Sequence, residues 1–241
     1  MTRFNIVVMA TCESTNAELM ARAKAGAESG AVIVSEHQTA GRGRRGRSWF
    51  SAPGDSLTFS LLWRFPSGKV VDGLSLAVGV SIAETLMRLG ATGIALKWPN
   101  DVLRSGRKLA GILVERVPGA ADNPAVIGIG INLRLPAELP DDVRAGAAAL
   151  DLPVSRGELL DQLLANLHKN LNAFTADGFA CIQPRWQALN AHAGLSVQVV
   201  SDFAPPLAGR CLGIDDDGAL LLETTDDIRR IITGDVSMRP T

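Results

Sequence analysis

The chain is poor in three things: cysteine, histidine and net charge. Among its 241 residues stand 3 cysteines and 3 histidines. Cys12, Cys181 and Cys211 are odd in number and widely spaced, with no C-x-x-C pair. That spacing excludes a disulfide framework and a thiolate zinc site, and it suits a reducing compartment. His37, His168 and His192 are just as scattered and lack the spacing of zinc ligands. Lysine and arginine (24) nearly balance aspartate and glutamate (25), for a formal net charge of −1. Such a balance argues against a protein whose whole surface grips nucleic acid, so any positive potential is local. No apolar run approaches membrane-spanning length, and the apolar stretch ending near Ala10 is too short for a signal-peptide core with its cleavage site. The expectation is a soluble, cytoplasmic protein without a membrane partner. What is present in quantity is core material: hydrophobic residues make up 46% of the chain, enough for one large domain or a main domain with a small appendage.

The periodicity alternates between strand and helix. Phe4–Met9 reads as a short strand, and Thr15-Asn16-Ala17-Glu18 as a capping box opening a helix that Gly26 stops. Strands are expected at Ala31–Glu36, Leu57–Trp63, Ile94–Trp98, Leu109–Val117 and Ala125–Ile131, the last two adjacent and central, with Asp122-Asn123-Pro124 as the turn between them. Helices are expected at about Leu74–Leu89, ended by Gly90, and at Ser155–Phe174, where leucines recur at helical spacing behind a second capping box. After Asn190 the pattern turns to short strands, with Asp217-Gly218 marking a hairpin. The fold class is therefore α+β: a mixed-sheet domain over residues 1–190, followed by a small β-barrel over 191–241.

The chemistry concentrates at residues 41–47, Gly-Arg-Gly-Arg-Arg-Gly-Arg, followed by Ser48-Trp49. Glycine lets backbone approach a ligand closely, and arginine offers a planar fork for phosphate or carboxylate. Little in this segment can fill a core, so it is expected to close over an anion. It formally matches G-x-G-x-x-G, but the next element is a strand rather than a helix, so the dinucleotide-binding reading fails on context. The lysine of a phosphate-binding P-loop is absent as well. A nucleic-acid-binding segment is the other reading of so many arginines. Against it, the run is short, has one neighbouring aromatic pair and lies within the folded chain.

Four further segments have the composition of a site. Glu13-Ser14-Thr15-Asn16 begins a helix, where hydroxyls and free backbone N–H groups can hold a polar head, although these are also ordinary cap residues. Lys97-Trp98-Pro99-Asn100-Asp101 ends a strand. Arg107-Lys108-Leu109-Ala110-Gly111-Ile112-Leu113 sets a lysine at the threshold of a buried strand. Gly128-Ile129-Gly130-Ile131-Asn132 places glycines in a strand interior, a mark of close approach by a ligand or another backbone.

With Gln38-Thr39-Ala40 leading into the arginine loop, these five segments resemble, in order and spacing, the biotin protein ligase family, from about Glu13 to Arg239. The form resembled is the bacterial one without an N-terminal DNA-binding domain, since thirteen residues precede Ser14. The lipoate ligases of the same fold carry an Arg-Arg…Gly-Gly-Gly…His-Asp pattern that this chain lacks. The resemblance implies a catalytic domain of the biotin/lipoate ligase type (class II synthetase-like) and an SH3-like barrel. It implies two steps: biotin and ATP give biotinyl-5'-AMP, and a lysine of a biotin carboxyl carrier protein then takes the biotin. It also implies a ligase without repressor activity and without nucleic acid as a partner. On this mapping Ser14, Thr15, Asn16 and Gln38 hold the biotin head group. Gly41, Arg42, Gly43 and Arg44 cover biotin, with Trp49 on the apolar side and Gly111 leaving room. Arg42, Arg44, Arg45 and Arg47 serve the nucleotide, together with Lys97, Asn100, Asn132 and Arg239 from elsewhere in the chain. Lys108, Arg42 and Asp101 are the catalytic candidates, and Mg²⁺ is expected to accompany ATP. The arginine loop is expected to move when empty and to order over a water-sensitive product. Sheet-edge dimers and monomers are both compatible with these strands.

Overall fold

A computed structural model describes residues 4–119, 122–136, 138–201, 205–232 and 236–240, with Ser201 and the last five as backbone only. Seven strands form the main sheet: β1 (Asn5–Cys12), β2 (Ala31–Gln38), β3 (Ser56–Phe65), β4 (Ile94–Lys97), β5 (Asp101–Arg104), β6 (Arg107–Arg116) and β7 (Asn123–Asn132). Their spatial order is β1-β2-β3-β7-β6-β5-β4. Only β1 and β2 run parallel, joined by helix α1 (Thr15–Lys24); the other pairs are antiparallel. The sheet is mixed, as the α+β expectation required.

Strand alternation gives this sheet two unlike faces. On one face Leu57, Phe59 and Leu61 of β3 lie opposite Ile131, Ile129 and Ile127 of β7. Helices α2 (Leu74–Arg88) and α4 (Arg156–Asp177) cover that side, and Leu76, Val80, Leu163, Leu167 and Phe174 join the same core. On the other face Ser56, Thr58 and Ser60 lie opposite Asn132, Gly130 and Gly128. There the apolar cluster is small: Leu62, Val126, Val117 and Ile33 under Leu19 and Ala23 of α1. Half of this second face is thus filled by α1, and the other half is lined by glycine and hydroxyl side chains. A pocket forms there.

Beyond α5 (Gln183–Ala188), strands β8 (Ser196–Ser201), β9 (Leu207–Ile214), β10 (Leu220–Glu223), β11 (Ile228–Ile231) and β12 (Val236–Pro240) make an antiparallel sheet of order β11-β10-β9-β8-β12. This is the small SH3-like element expected, with its hairpin at Asp217-Gly218. It is docked firmly, because Val197, Val199, Cys211, Ile214, Leu220 and Leu222 share the core of the large sheet. Trp98 Nε1 donates to the Gly218 carbonyl at 3.1 Å, and Gln183 Nε2 to that of Ile214 at 3.0 Å. A side chain at Gly218 would meet Gly73 Cα and Leu76 Cδ1 at 2.9 Å, so the hairpin approaches α2 as closely as glycine allows.

Three features depart from the sequence reading. The strand after Ile94 stops at Lys97, and a further strand, β5, follows through Pro99-Asn100. Short helices α3 (Asp141–Gly146) and α5 were not foreseen. The cap of α1 is Ser14, whose Oγ accepts from Ala17 N, and not Thr15. Thr15 is drawn away because its N–H and hydroxyl face Gln38.

Candidate active site

The pocket has as its wall the small-residue face of β3, β7 and β6, with the start of α1 at one end and the arginine loop above. Ser14, Thr15, Asn16, Gln38, Arg42, Gly43, Arg44 and Trp49 line it, with Thr58, Asn100, Lys108, Gly111, Gly128 and Gly130, around about 450 Å³ of space open to solvent. Four of the five sequence segments therefore meet directly here, and the fifth, residues 97–101, enters through Asn100.

At its inner end lies a buried polar group. Gln38 Oε1 accepts from Thr15 N at 2.7 Å and lies 3.1 Å from the Thr15 hydroxyl. Asn16 Nδ2 donates to Glu115 Oε2 at 2.7 Å and to the Leu113 carbonyl at 3.2 Å. Ser60 Oγ stands between them, 2.8 Å from Thr15 Oγ1 and 2.5 Å from Asn16 Oδ1. Gly128 makes room for this: a Cβ there would run into the Asn16 amide.

At the other end stands Lys108, aimed by a β-bulge. Leu103 of β5 pairs with Lys108 while its neighbour Val102 pairs with Ala110, so Leu109 is an extra residue in β6. In an unbroken strand Lys108 would share the core-facing side with Ala110 and Ile112. The extra residue reverses that parity, and Lys108 joins Gly111 on the pocket side. Its Nζ lies 2.6 Å from Asp101 Oδ1, an ion pair that satisfies this otherwise enclosed oxygen. Gly111 is what the lysine packs over, since a Cβ there would sit 3.1 Å from Lys108 Cε. The Trp49 indole covers the same wall: an added Cβ at Gly130 would strike it, and Lys108 Nζ is 6.0 Å from its ring centroid. The indole N–H is buried without a partner among the described residues, a donor left for a ligand.

The arginine loop, expected to move when empty, takes a hairpin form here. Gly43 N donates to Arg47 O at 2.7 Å and Trp49 N to Gly41 O at 2.9 Å, about a 3-10 turn at Arg44–Gly46. Arg45 takes φ 58° in this turn. Gly41 is required beside Gln38: an added Cβ would lie 2.9 Å from Gln38 Nε2 and would collide with the Trp49 carbonyl. Arg44 Nη1 donates to Asn100 Oδ1 at 3.4 Å, and Asn100 Nδ2 in turn donates to Ile112 O at 2.8 Å, so the loop is tied to β6.

Other expected site residues stand elsewhere. Arg45 Nη2 donates to Val200 O of β8 at 3.4 Å, which turns it toward the small sheet. Arg47 is exposed, and neither of the two lines the pocket. Lys97, opposite Asp101 in the β4–β5 ladder, is also outside the lining. Asn132 donates to Ala148 O at 3.1 Å and Lys108 O at 3.4 Å and does not line this pocket. Arg239 is on β12 opposite Gln198, with its side chain outside the described residues. Sequence reasoning missed Thr58, Ser60 and Glu115. The alternation Ser56-Leu57-Thr58-Phe59-Ser60 carried the signal for the first two, since hydroxyls at every second position of an otherwise apolar strand mark a face that does not enter the core. Among the described residues no cluster of three His, Cys, Asp or Glu could hold a metal.

The chain is similar to known proteins over most of its length. The profile of the Biotin/lipoate A/B protein ligase family matches residues 8–132, and that of the Biotin protein ligase C terminal domain matches 203–239. The bifunctional ligase/repressor BirA of Salmonella typhimurium is 37% identical over 240 residues, covering 98% of this chain and 74% of the relative. The biotin–[acetyl-CoA-carboxylase] ligase of Mycobacterium tuberculosis is 36% identical over 248 residues, covering 95% of this chain and 87% of that one. Among solved structures, the biotin protein ligase of Aquifex aeolicus in complex with biotin and ATP aligns at a TM-score of 0.86 with 28% identity, over 98% of this chain and 99% of that one. The chain belongs to the Biotin/lipoate A/B protein ligase family, on its biotin protein ligase branch.

Proposed function

We propose that this ligase joins biotin to ATP as biotinyl-5'-AMP and then passes the biotin to a lysine of a biotin carboxyl carrier protein, such as the carrier of acetyl-CoA carboxylase. The observation that carries the reading is the placement of Lys108. Its ammonium stands at the pocket wall beside an arginine loop, with a neutral polar cradle at the pocket's inner end. Adenylation brings a carboxylate against an α-phosphate, and two anions repel. Cations held in a partly dry site oppose that repulsion more effectively than water does.

The roles follow from position. Ser14, Thr15, Asn16 and Gln38 hold the ureido head by hydrogen bonds. Gly111, Gly130 and Trp49 bound the apolar chain. Lys108, released from Asp101, binds the biotin carboxylate, one oxygen of which attacks the α-phosphorus as pyrophosphate leaves. Arg42 and Arg44, with Asn100, serve the phosphates; Arg45, Arg47, Lys97 and Asn132 remain candidates for the nucleotide beyond this pocket. Asp101, freed from the lysine, is well placed to accept a proton in the transfer step, in which the acceptor amine attacks the acyl carbon and AMP leaves. The donor set suits a Mg²⁺ that arrives on the ATP phosphates, where it would neutralise phosphate charge, rather than one in a protein cage. We further propose residues 1–190 as the catalytic unit and 191–241 as its SH3-like companion. A role without transcriptional repression or nucleic-acid binding is supported by Arg44 and Arg45, which face Asn100 and β8; a gel shift showing operator binding would overturn it. No described helix is long and apolar enough to cross a membrane.

Pyrophosphate release tests the reading. It should depend on biotin, and lipoate should not replace it. Release indifferent to biotin would end the proposal.

A further inference from the structure

We propose that Glu115 is a positioning residue that fixes the direction of the hydrogen bonds running from Asn16 through Ser60 to Thr15 at the inner end of the pocket, and so contributes to its selectivity for a cyclic urea. The inference rests on the biotin reading above. A carboxylate accepts only, and Glu115 Oε2 lies 2.7 Å from Asn16 Nδ2. With the Leu113 carbonyl it consumes both hydrogens of the Asn16 amide, so Asn16 must present its oxygen to Ser60. Ser60 has one hydrogen, and Asn16 Oδ1 at 2.5 Å takes it. The contact of 2.8 Å between Ser60 and Thr15 then draws its hydrogen from Thr15. Gln38 is oriented from the other side, its Oε1 held by the Thr15 N–H at 2.7 Å.

What remains for a ligand is a fixed pattern. Thr15 Oγ1 offers lone pairs, and Gln38 Nε2 offers hydrogens. A ring urea carries the complement, N–H groups beside a carbonyl oxygen. Were Asn16 to turn over, Ser60 would give its hydrogen to Thr15, whose own hydrogen would turn to Gln38 Oε1 at 3.1 Å, and Thr15 would keep one lone pair fewer for the ligand. The Glu115 carboxylate and the Leu113 carbonyl together oppose that turn, and Glu115 supplies the shorter, charged contact, so it acts through Asn16 and touches no substrate itself.

The test uses the full chain with biotin, with the two cyclic carbamate analogues in which an oxygen replaces one ring N–H, and with desthiobiotin, which keeps the urea and lacks the sulfur. Glu115→Gln retains the side-chain volume but removes the charged acceptor, leaving the Leu113 carbonyl alone to hold the Asn16 amide in its orientation. The expected result is a biotin KM raised about tenfold with kcat for adenylation within about twofold, the loss of one charged hydrogen bond. The preference for biotin over the better carbamate should shrink by about the same factor, and the ratio of biotin to desthiobiotin should hold. Glu115→Asp, which still only accepts, should recover most of the carbamate discrimination. Unchanged discrimination in Glu115→Gln would overturn the inference, as would a parallel fall in both ratios, the mark of a loosened pocket. A wild-type chain that uses none of these compounds would remove the biotin reading itself, a different failure.

Discussion

Lys108 reaches the pocket because one extra residue, Leu109, is accommodated in β6. Its charge is held by Asp101, a partner that the substrate carboxylate replaces in the proposed mechanism. Lys108→Ala should therefore slow adenylate formation by about ten- to a hundredfold in a single-turnover assay, the equivalent of a charged hydrogen bond worth about 1.5–3 kcal/mol. Arg47→Ala, at an exposed position outside the lining, should change it much less. Equal and small effects would strip Lys108 of its role. Arg42 lines the pocket, so Arg42→Gly should hasten escape of the adenylate, measured as its release rate; an unchanged rate would tell against a covering loop. Gly130→Ala should displace the Trp49 indole and weaken biotin binding, seen as quenching or shift of tryptophan fluorescence with a raised KM.

Elements were legible where periodicity was strong. Helix α2 and strands β2, β3, β6 and β7 stand where the pattern put them, within a residue or two at their ends, and the leucine-rich α4 runs three residues past the expected Phe174. Strand β5 was not visible, because Asp101–Arg104 is four residues long and lies directly after Pro99 and Asn100. The cap of α1 was misplaced by one residue, since a Ser-Thr-Asn run offers three capable caps and only the contact with Gln38, 23 residues away, selects Ser14. Glu115 was invisible for the same reason: its partner Asn16 is 99 residues distant. The site motifs were readable as motifs, but the fate of Asn132, Lys97 and Arg45 depended on neighbours that one dimension does not show. One joint is testable at this scale. Trp98→Phe deletes the bond to Gly218 and leaves part of the buried indole's volume empty, so it should cost at least about 1 kcal/mol and lower Tm by at least about 2–4 °C. An unaltered Tm would show that the hairpin is held by packing alone.

For the whole molecule, two titrating groups give stability the same pH dependence. His192 is buried where the small sheet meets the large one; burial, helped by the charge of Lys97, holds its imidazole below the usual range. The unfolded chain therefore takes up the proton first. Stability is full above the ordinary histidine pKa of about 6.5 and falls as pH drops below it. Glu84 follows at lower pH: burial raises its pKa, but the Arg185 guanidinium and Asn166 outweigh that and bring it below the usual carboxylate value. Its contribution is present above the unfolded carboxylate pKa and is lost as pH falls through the folded one. His192→Gln should flatten the Tm profile near pH 6 while leaving the acid limb; an identical profile would remove His192 from this account.

The placement of biotin is the most direct test of the whole account. A crystal structure of this chain with biotin should show the ureido ring against Thr15 and Gln38, and the carboxylate within hydrogen-bonding distance of Lys108 Nζ. A ring bound outside the Ser14–Gln38 end, or a carboxylate remote from Lys108, would contradict it.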